Sequence, residues 1–478
     1  MKLLYTSKHT DSQSIIYLVK KGVNLSDFPL TAKEKDFVKK QIHAKKKLIQ
    51  LNLLQRWIFI QVVDDSIKGD HLLEWLRIKA YKLQKAINSE GLKSVTIIDK
   101  TDNKQWVLSL VEGLALSNYQ FLKYFKKKKE KKNSFDTIRI ISKAVKKEDI
   151  GELQNIIEGV YCARDLINEP LSTLTAVQLS KEIQELGSKS GFKVEVFNKR
   201  KIESLKMGGL LAVNRGSIDP PTFSILEWKP KNAVNKKPLV LVGKGIVYDT
   251  GGLSLKPTKE SMDYMKSDMS GAAAVVGALS AVAKSALPVH VIGLIPATDN
   301  RPDGNAYVPG DIVIMGNGLS VEVLNTDAEG RMILAEALNY AKNYNPGLVM
   351  DLATLTGSAA IAVGVYGIVG MGNADEKVFS SLKESGEKVS ERIVEFPFWK
   401  EYNKLLKSDV ADLKNIGGRD AGAITAGKFL EYFTDYPFIH LDIAGPAFVK
   451  KEYNYHGIGG TGYGVRLLFD FIKNYPQI

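Results

Sequence analysis

Three short, largely apolar runs constrain this chain more than any other feature: residues 238–242, 289–294 and 347–352. The first, Pro238-Leu239-Val240-Leu241-Val242, has no polar residue at all, which is how a strand buried on both faces reads. Helical patterns separate the runs, at residues 270–283 (rich in Gly and Ala) and 329–343. A late strand is expected over 438–443 and a C-terminal helix over 463–475. Such βα alternation predicts an α/β fold with a mostly parallel or mixed sheet flanked by helices, and ligands in such sheets lie at the carboxyl ends of the strands.

The 478 residues are enough for two or three domains. Residues 57–63 and 94–98 read as strands and 71–88 as an amphipathic helix, so residues 1–150 are expected to form a small N-terminal α/β domain. Residues 148–167 are helical in pattern and stop before Pro170. We take 151–167 as a linker helix and 151–478 as the larger C-terminal domain carrying the mixed sheet. The halves differ in charge: residues 1–150 hold 31 Lys+Arg against 16 Asp+Glu, net +15, and the remainder 35 against 37, net −2. The densest run, residues 126–132, reads as a solvated loop. With 44% apolar and 25% charged residues, wholesale disorder, collagen and coiled coil are excluded.

Cys162 is the one cysteine and the six histidines are scattered, no two of them four apart. Thiolate metal clusters and an HExxH helix are therefore ruled out, and a reducing compartment is expected. The first residues show no apolar run of signal-peptide length, so the protein is expected to be cytoplasmic. Residues 352–373 carry no formal charge but include five glycines; they read as a buried strand plus a glycine-rich loop rather than a membrane span. Gly457-Ile458-Gly459-Gly460-Thr461-Gly462 fits G-x-G-x-x-G, yet the sequence ends too soon for a βαβ unit, and close packing of the last helix is expected instead.

Chemistry clusters just after the apolar runs. Lys244, Asp249 and Lys256 follow the first on what reads as glycine-rich backbone; Asp268 precedes the Gly/Ala helix; Asp327, Glu329 and Arg331 lie in Asn325-Thr326-Asp327-Ala328-Glu329-Gly330-Arg331. Four carboxylates without histidine or cysteine suit hard or borderline divalent cations, because they cannot all stay ionised together uncompensated. Two ions are the natural count, since a pair can share a carboxylate and a water.

The same seven residues match the NTDAEGR signature of the leucyl aminopeptidase family, which this chain resembles over about residues 160–478. Also similar are Val242-Gly243-Lys244-Gly245, Asp249-Thr250-Gly251-Gly252, Ser254-Leu255-Lys256-Pro257, Asp268-Met269, Asp351-Leu352-Ala353-Thr354-Leu355-Thr356-Gly357, residues 421–427 and His440-Leu441-Asp442-Ile443-Ala444-Gly445. Ser172, Ala176 and Phe438 depart from the residues usual in the family. The resemblance implies an exopeptidase that removes the N-terminal residue, preferably leucine or a similar apolar one, from short peptides by two-metal activation of a bridging water. It implies that Lys244, Asp249, Asp268, Asp327 and Glu329 hold the metals (Zn or Mn, with Co and Mg also suited), and that Lys244 ligates as a neutral amine. Lys256 would hydrogen-bond the oxyanion, Arg331 would anchor a bicarbonate acting as general base, and Met265, Thr354, Leu355 and Gly357 would bind substrate. A homohexamer is implied too, and no membrane partner. The rival class is a nucleic-acid-binding regulator that uses the +15 N-terminal domain; the intact set of seven site residues favours catalysis.

Overall fold

A computed structural model describes residues 1–9 and 14–475. The chain falls into two compact units, one of Met1–Ile157 with Glu452–Gly457 and one of Glu158–Lys451 with the residues from Ile458 on. The division lies at Ile157, part-way along the helix Lys147–Asn168, rather than at residue 150. The return of Glu452–Gly457 to the first unit has no local sequence signal.

The first unit is built on a six-stranded sheet in the order Lys2–Tyr5, Thr137–Ile141, Ser94–Asp99, Ile15–Val19, Trp57–Val62, Leu48–Asn52, parallel except for the last strand. Every residue of Ile15–Val19 is buried, as its central place requires. The helix Gly69–Ser89 buries Leu72, Leu73, Leu76, Ala80, Leu83 and Ile87, one stripe at the three- and four-residue spacing of an amphipathic helix. Lys126–Lys132 are exposed, in and around the single turn Lys128–Lys131, and Lys127 pairs locally with Glu130 at 3.2 Å.

The second unit carries a mixed sheet. Its order is Ile393–Glu395, Ile368–Gly372, Phe438–Asp442, Leu348–Ala353, Leu239–Gly243, Val291–Asn300, Thr222–Trp228, Lys193–Phe197, with Gly245–Asp249 paired to the far half of Val291–Asn300. The four strands from Phe438 to Val291 in that order are mutually parallel. Val240, Val242, Ile292 and Val349 pack with Met332 and Ile333 of the helix Glu329–Ala341. Gly243, on the alternate parity, meets Ala272 of the helix Ser270–Lys284 instead, so helices cover both faces of the sheet. That second helix approaches very closely: a Cβ on Gly271 would lie 1.9 Å from the Leu352 carbonyl oxygen. Small residues therefore allow the helix start to reach the strand ends where the site forms.

Several sequence expectations are corrected. Within the glycine-rich residues 243–252, Gly245–Asp249 is a strand that had not been expected. The run at 289–294 continues as a strand to Asn300. The uncharged stretch 352–373 contains the short helix Gly357–Val363 and the strand Ile368–Gly372 besides its loop. The helix from Glu329 ends at Ala341 and passes into a 3-10 turn, Lys342–Tyr344. Gly457–Gly460 forms a strand that pairs with Phe448–Tyr453. Among the described residues no helix is long and apolar enough to cross a membrane.

Candidate active site

Lys244 sits between the strands Leu239–Gly243 and Gly245–Asp249, and its backbone is clamped on both sides. Its N–H donates to the Leu352 carbonyl and its own carbonyl accepts from Ala272 N–H, each at 3.0 Å. Its buried Nζ lies 2.8 Å from Asp268 Oδ2 and 3.0 Å from Glu329 Oε1, and donates to the Thr354 carbonyl at 2.9 Å. Asp268 occupies the turn between the 3-10 segment Met262–Ser267 and the helix Ser270–Lys284. Glu329 is the first residue of its helix, where the helix dipole favours a carboxylate. Asp249 closes its strand, accepts from Gly251 N–H at 2.8 Å, and faces Lys256 Nζ at 2.8 Å. Lys256 also contacts Asp327.

The residue after Glu329 is a glycine, and its missing side chain leaves the room that Lys244 occupies. A Cβ on Gly330 would lie 2.5 Å from Lys244 Cε and 2.7 Å from Nζ, so the lysine packs over a bare backbone. One ligand oxygen each from Asp249, Asp268 and Glu329 lie within 4.8 Å of one another, all three residues buried. Four carboxylates thus share two ammonium groups. Burial, with Asp249 and Asp268 adding to it against Lys244, pushes Glu329 up to about 8. Burial outweighs the pull of Lys244 at Asp268 too, which rises to about 6, and burial together with Asp249 raises Asp327. For Lys244 burial disfavours the ammonium, but the carboxylates of Asp268, Glu329 and Asp249 overcome it and hold the pKa above the ordinary lysine range. Lys256 is raised for the same reason, by Asp249, Glu329 and Asp327 against its burial.

The protein's own cations therefore leave the cluster short of positive charge. Glu329 Oε2 is buried without a hydrogen-bond partner, an acceptor directed into a nest of acids. These features, with an all-oxygen carboxylate set, fit divalent cations.

Arg331 follows on the same helix and is buried. Its NH1 donates to the Asn415 carbonyl at 2.7 Å, while Nε has no hydrogen-bond partner; burial lowers its pKa to about 10. Asn415 also accepts from Leu324 N–H at 2.8 Å and donates to the Asn325 carbonyl at 2.7 Å, which pins the turn that carries Asp327. Thr354 Oγ1 donates to Asp268 Oδ1 at 2.8 Å. Leu355 N–H donates to Asp442 Oδ1 at 3.1 Å, and Thr356 Oγ1 to Asp442 Oδ2 at 2.8 Å. Thr356 caps the helix Gly357–Val363, so Gly357 is exposed at that helix's first position. Half-buried Met265 lies in the 3-10 segment that ends at Asp268.

The structure therefore gathers Lys244, Asp249, Lys256, Asp268, Asp327 and Glu329 into one cluster. Arg331, Thr354 and Leu355 sit on segments tied to it, and Met265 and Gly357 on the adjoining turns. Sequence reasoning assigned no role to Asn300, Thr326, Asn415 or Asp442, whose side chains fix this arrangement. Thr326 and Asp442 fall inside motif segments; Asn300 and Asn415 carry no local signal.

Fold and cluster together define an α/β protein with a buried acidic site at the carboxyl ends of its sheet strands, of a chemistry that fits divalent cations. Comparison with known proteins narrows the class. The description "cytosol aminopeptidase family, catalytic domain" matches residues 161–469. A probable cytosol aminopeptidase of Chlorobium limicola is 45% identical over 405 residues, 82% of this chain and 79% of the relative. One from Chlorobaculum tepidum is 53% identical over 316 residues, 66% of this chain and 62% of the relative. Among solved structures, the bottromycin maturation enzyme BotP in complex with Mn superposes with a TM-score of 0.86 at 28% identity, covering 97% of this chain and all of that one. A mutant tomato leucine aminopeptidase also gives 0.86, at 25% identity, covering 99% and 96%. This chain belongs to the cytosol aminopeptidase family, and its activity is that of an aminopeptidase, a peptide hydrolase.

Proposed function

We propose that this aminopeptidase releases leucine and similar apolar residues from the N-termini of short peptides at a site holding two divalent cations. The observation that carries this reading is the buried triad Asp249, Asp268 and Glu329, with its oxygens mutually within 4.8 Å and Glu329 Oε2 unpartnered. Asp249, Asp268, Asp327, Glu329 and Lys244 would hold the cations. Bound there, two divalent ions supply Lewis acidity toward the scissile carbonyl and lower the pKa of a shared water.

The chain's own groups divide the remaining work. Lys256, beside Asp249 at 2.8 Å, would donate from its ammonium to the oxygen that becomes negative as the carbonyl is attacked. Lys244 ligates only as a free amine. Its proton is held by Asp268 and Glu329, the same carboxylates whose charge the cations would take over. Arg331 offers its unpartnered buried Nε to a bicarbonate, whose chemistry is that of a general base. Thr354 and Leu355, held by Asp268 and Asp442, would orient the substrate main chain, and Met265 and Gly357 would flank the first side chain.

The homohexamer belongs to the same proposal. Ile312 and Ile314 are exposed on Ile312–Ile314, the outer strand of a three-stranded sheet, and this apolar pair is the surface we assign to a contact between subunits.

The deciding experiment is hydrolysis of a leucine anilide by the purified full chain, with chelator and after Mn or Zn is added back. Activity is expected to vanish and then return, and Glu329→Ala is expected to abolish turnover while the fold survives. Full activity of the chelated protein, or of that variant, would refute the reading.

A further inference from the structure

Asn300 lies at the end of the strand Val291–Asn300 and is completely buried. Its side-chain amide spends both donors on the site: Nδ2 donates to Asp249 Oδ1 and to the Thr326 carbonyl, each at 2.9 Å. The main-chain carbonyl of Asn300 accepts from Thr250 N–H at 3.0 Å and Thr250 Oγ1 at 2.8 Å. Thr326 in turn donates from Oγ1 to the Gly251 carbonyl at 2.7 Å and accepts from Ser254 N–H at 2.8 Å. Two turns far apart in sequence, one carrying Asp249 and the other Asp327 and Glu329, are thus knitted together, and the Asn300 amide is the group that bonds both the Asp249 carboxylate and the Thr326 main chain. A Cβ on Gly252, where φ is +62°, would lie 2.8 Å from Asn300 Oδ1, so the turn is folded tightly over it. Asn300 Oδ1 is buried without a hydrogen-bond partner, an unfavourable arrangement that the two donor bonds must offset.

We infer that Asn300 is a positioning residue: it sets the separation of Asp249 from the Asp327–Glu329 turn, and thereby the affinity for both cations. The inference rests on the two-cation reading. Aspartate is nearly the same shape yet cannot replace it, because an ionised carboxylate has no donor and would face Asp249 charge to charge. Removal of such an outer partner of a metal ligand typically weakens metal binding by about 10- to 100-fold.

The test is Mn2+ titration of metal-stripped full-length protein, with free Mn2+ read by electron paramagnetic resonance, alongside thermal unfolding. Asn300→Asp and Asn300→Ser are expected to weaken Mn2+ at both occupancies by about 10- to 100-fold. Asn235→Ser, which removes amide bonds to the Lys237 and His290 carbonyls, is expected to lower the melting temperature and leave Mn2+ affinity unchanged. Should neither Asn300 variant fold, Tyr307→Phe decides; it frees one of the two bonds at the Thr326 carbonyl and must also weaken Mn2+. Wild-type affinity in the folded variants would overturn the inference and leave the two-cation reading standing. Failure of the wild-type protein to bind Mn2+ would overturn both.

Discussion

Gly330→Ala separates the steric demand of the site from the stability of the fold. Gly330 is the second residue of the helix Glu329–Ala341 and is not among the positive-φ glycines. In an unobstructed helix Ala would stabilise by about 0.5–1 kcal/mol over Gly. Here the new Cβ would lie 2.5 Å from Lys244 Cε, against an ordinary carbon contact of about 3.5–4 Å. The lysine terminus must therefore retreat by roughly 1 Å from its 2.8 Å and 3.0 Å contacts with Asp268 and Glu329. Crowding of this sort costs about 1–3 kcal/mol, partly offset by the helical gain, so net stability should change by no more than about 2.5 kcal/mol.

The site is far less tolerant than the fold. A misplacement near 1 Å is worth about 10²-fold in rate, so leucine-anilide turnover should fall by about two orders of magnitude at a nearly unchanged melting temperature. Gly151→Ala is the matched control. It lies in the helix Lys147–Asn168 and the added Cβ meets nothing within 4 Å, so stabilisation with unchanged activity is expected. Steady-state kinetics and differential scanning calorimetry on the three proteins decide the matter. Wild-type turnover in Gly330→Ala would refute the claim that Lys244 must occupy its observed place.

Two further predictions follow from other parts of the second unit. Glu336 is buried, accepts from Gly209 N–H at 2.7 Å and from Gly316 N–H at 3.1 Å, and is pushed by burial from 4.5 up to about 7. Because the folded pKa is raised, the folded state holds a proton that the unfolded chain releases, and stability is lost as pH rises from about 4.5 to about 7. The loss is of order 3 kcal/mol; it should be absent from Glu336→Gln in urea unfolding at pH 5 and pH 8, and equal pH dependence in the two proteins would exclude it. For the proposed hexamer, light scattering should give a smaller particle for Ile312→Lys/Ile314→Lys than for the wild type; an unchanged mass would remove that edge from the interface.

What the sequence made legible follows the physics of each signal. The strands Leu239–Gly243 and Leu348–Ala353 are buried on both faces, so an apolar run alone reveals them. Asp249, Asp268, Asp327 and Glu329 could be picked out because carboxylates in glycine-rich segments after such strands have little structural reason to be there. The strand Gly245–Asp249 was hidden, since it opens on glycine and is defined only by pairing with the distant half of Val291–Asn300. That distant half was hidden in turn by Pro296, which reads as a terminator. The helix Gly357–Val363 owes its start to the Thr356 cap and to Asp442 holding Thr356 from another strand, neither of them a periodic signal.

The residues that reasoning from sequence passed over share one property: their partners are remote. Asn300 reaches Asp249 across 51 positions and Asn415 reaches Asn325 across 90. An asparagine has no charge and no metal affinity to announce itself, and its two donors gain meaning only when topology brings a carboxylate and a carbonyl to them. A ligand is therefore legible by its own chemistry, whereas the amide that aims it becomes legible only once the strand order is known. In this chain Asn300 and Thr354 donate to Asp249 and Asp268, Asn415 braces the turn before Asp327, and the two lysines offset the mutual repulsion of the four carboxylates.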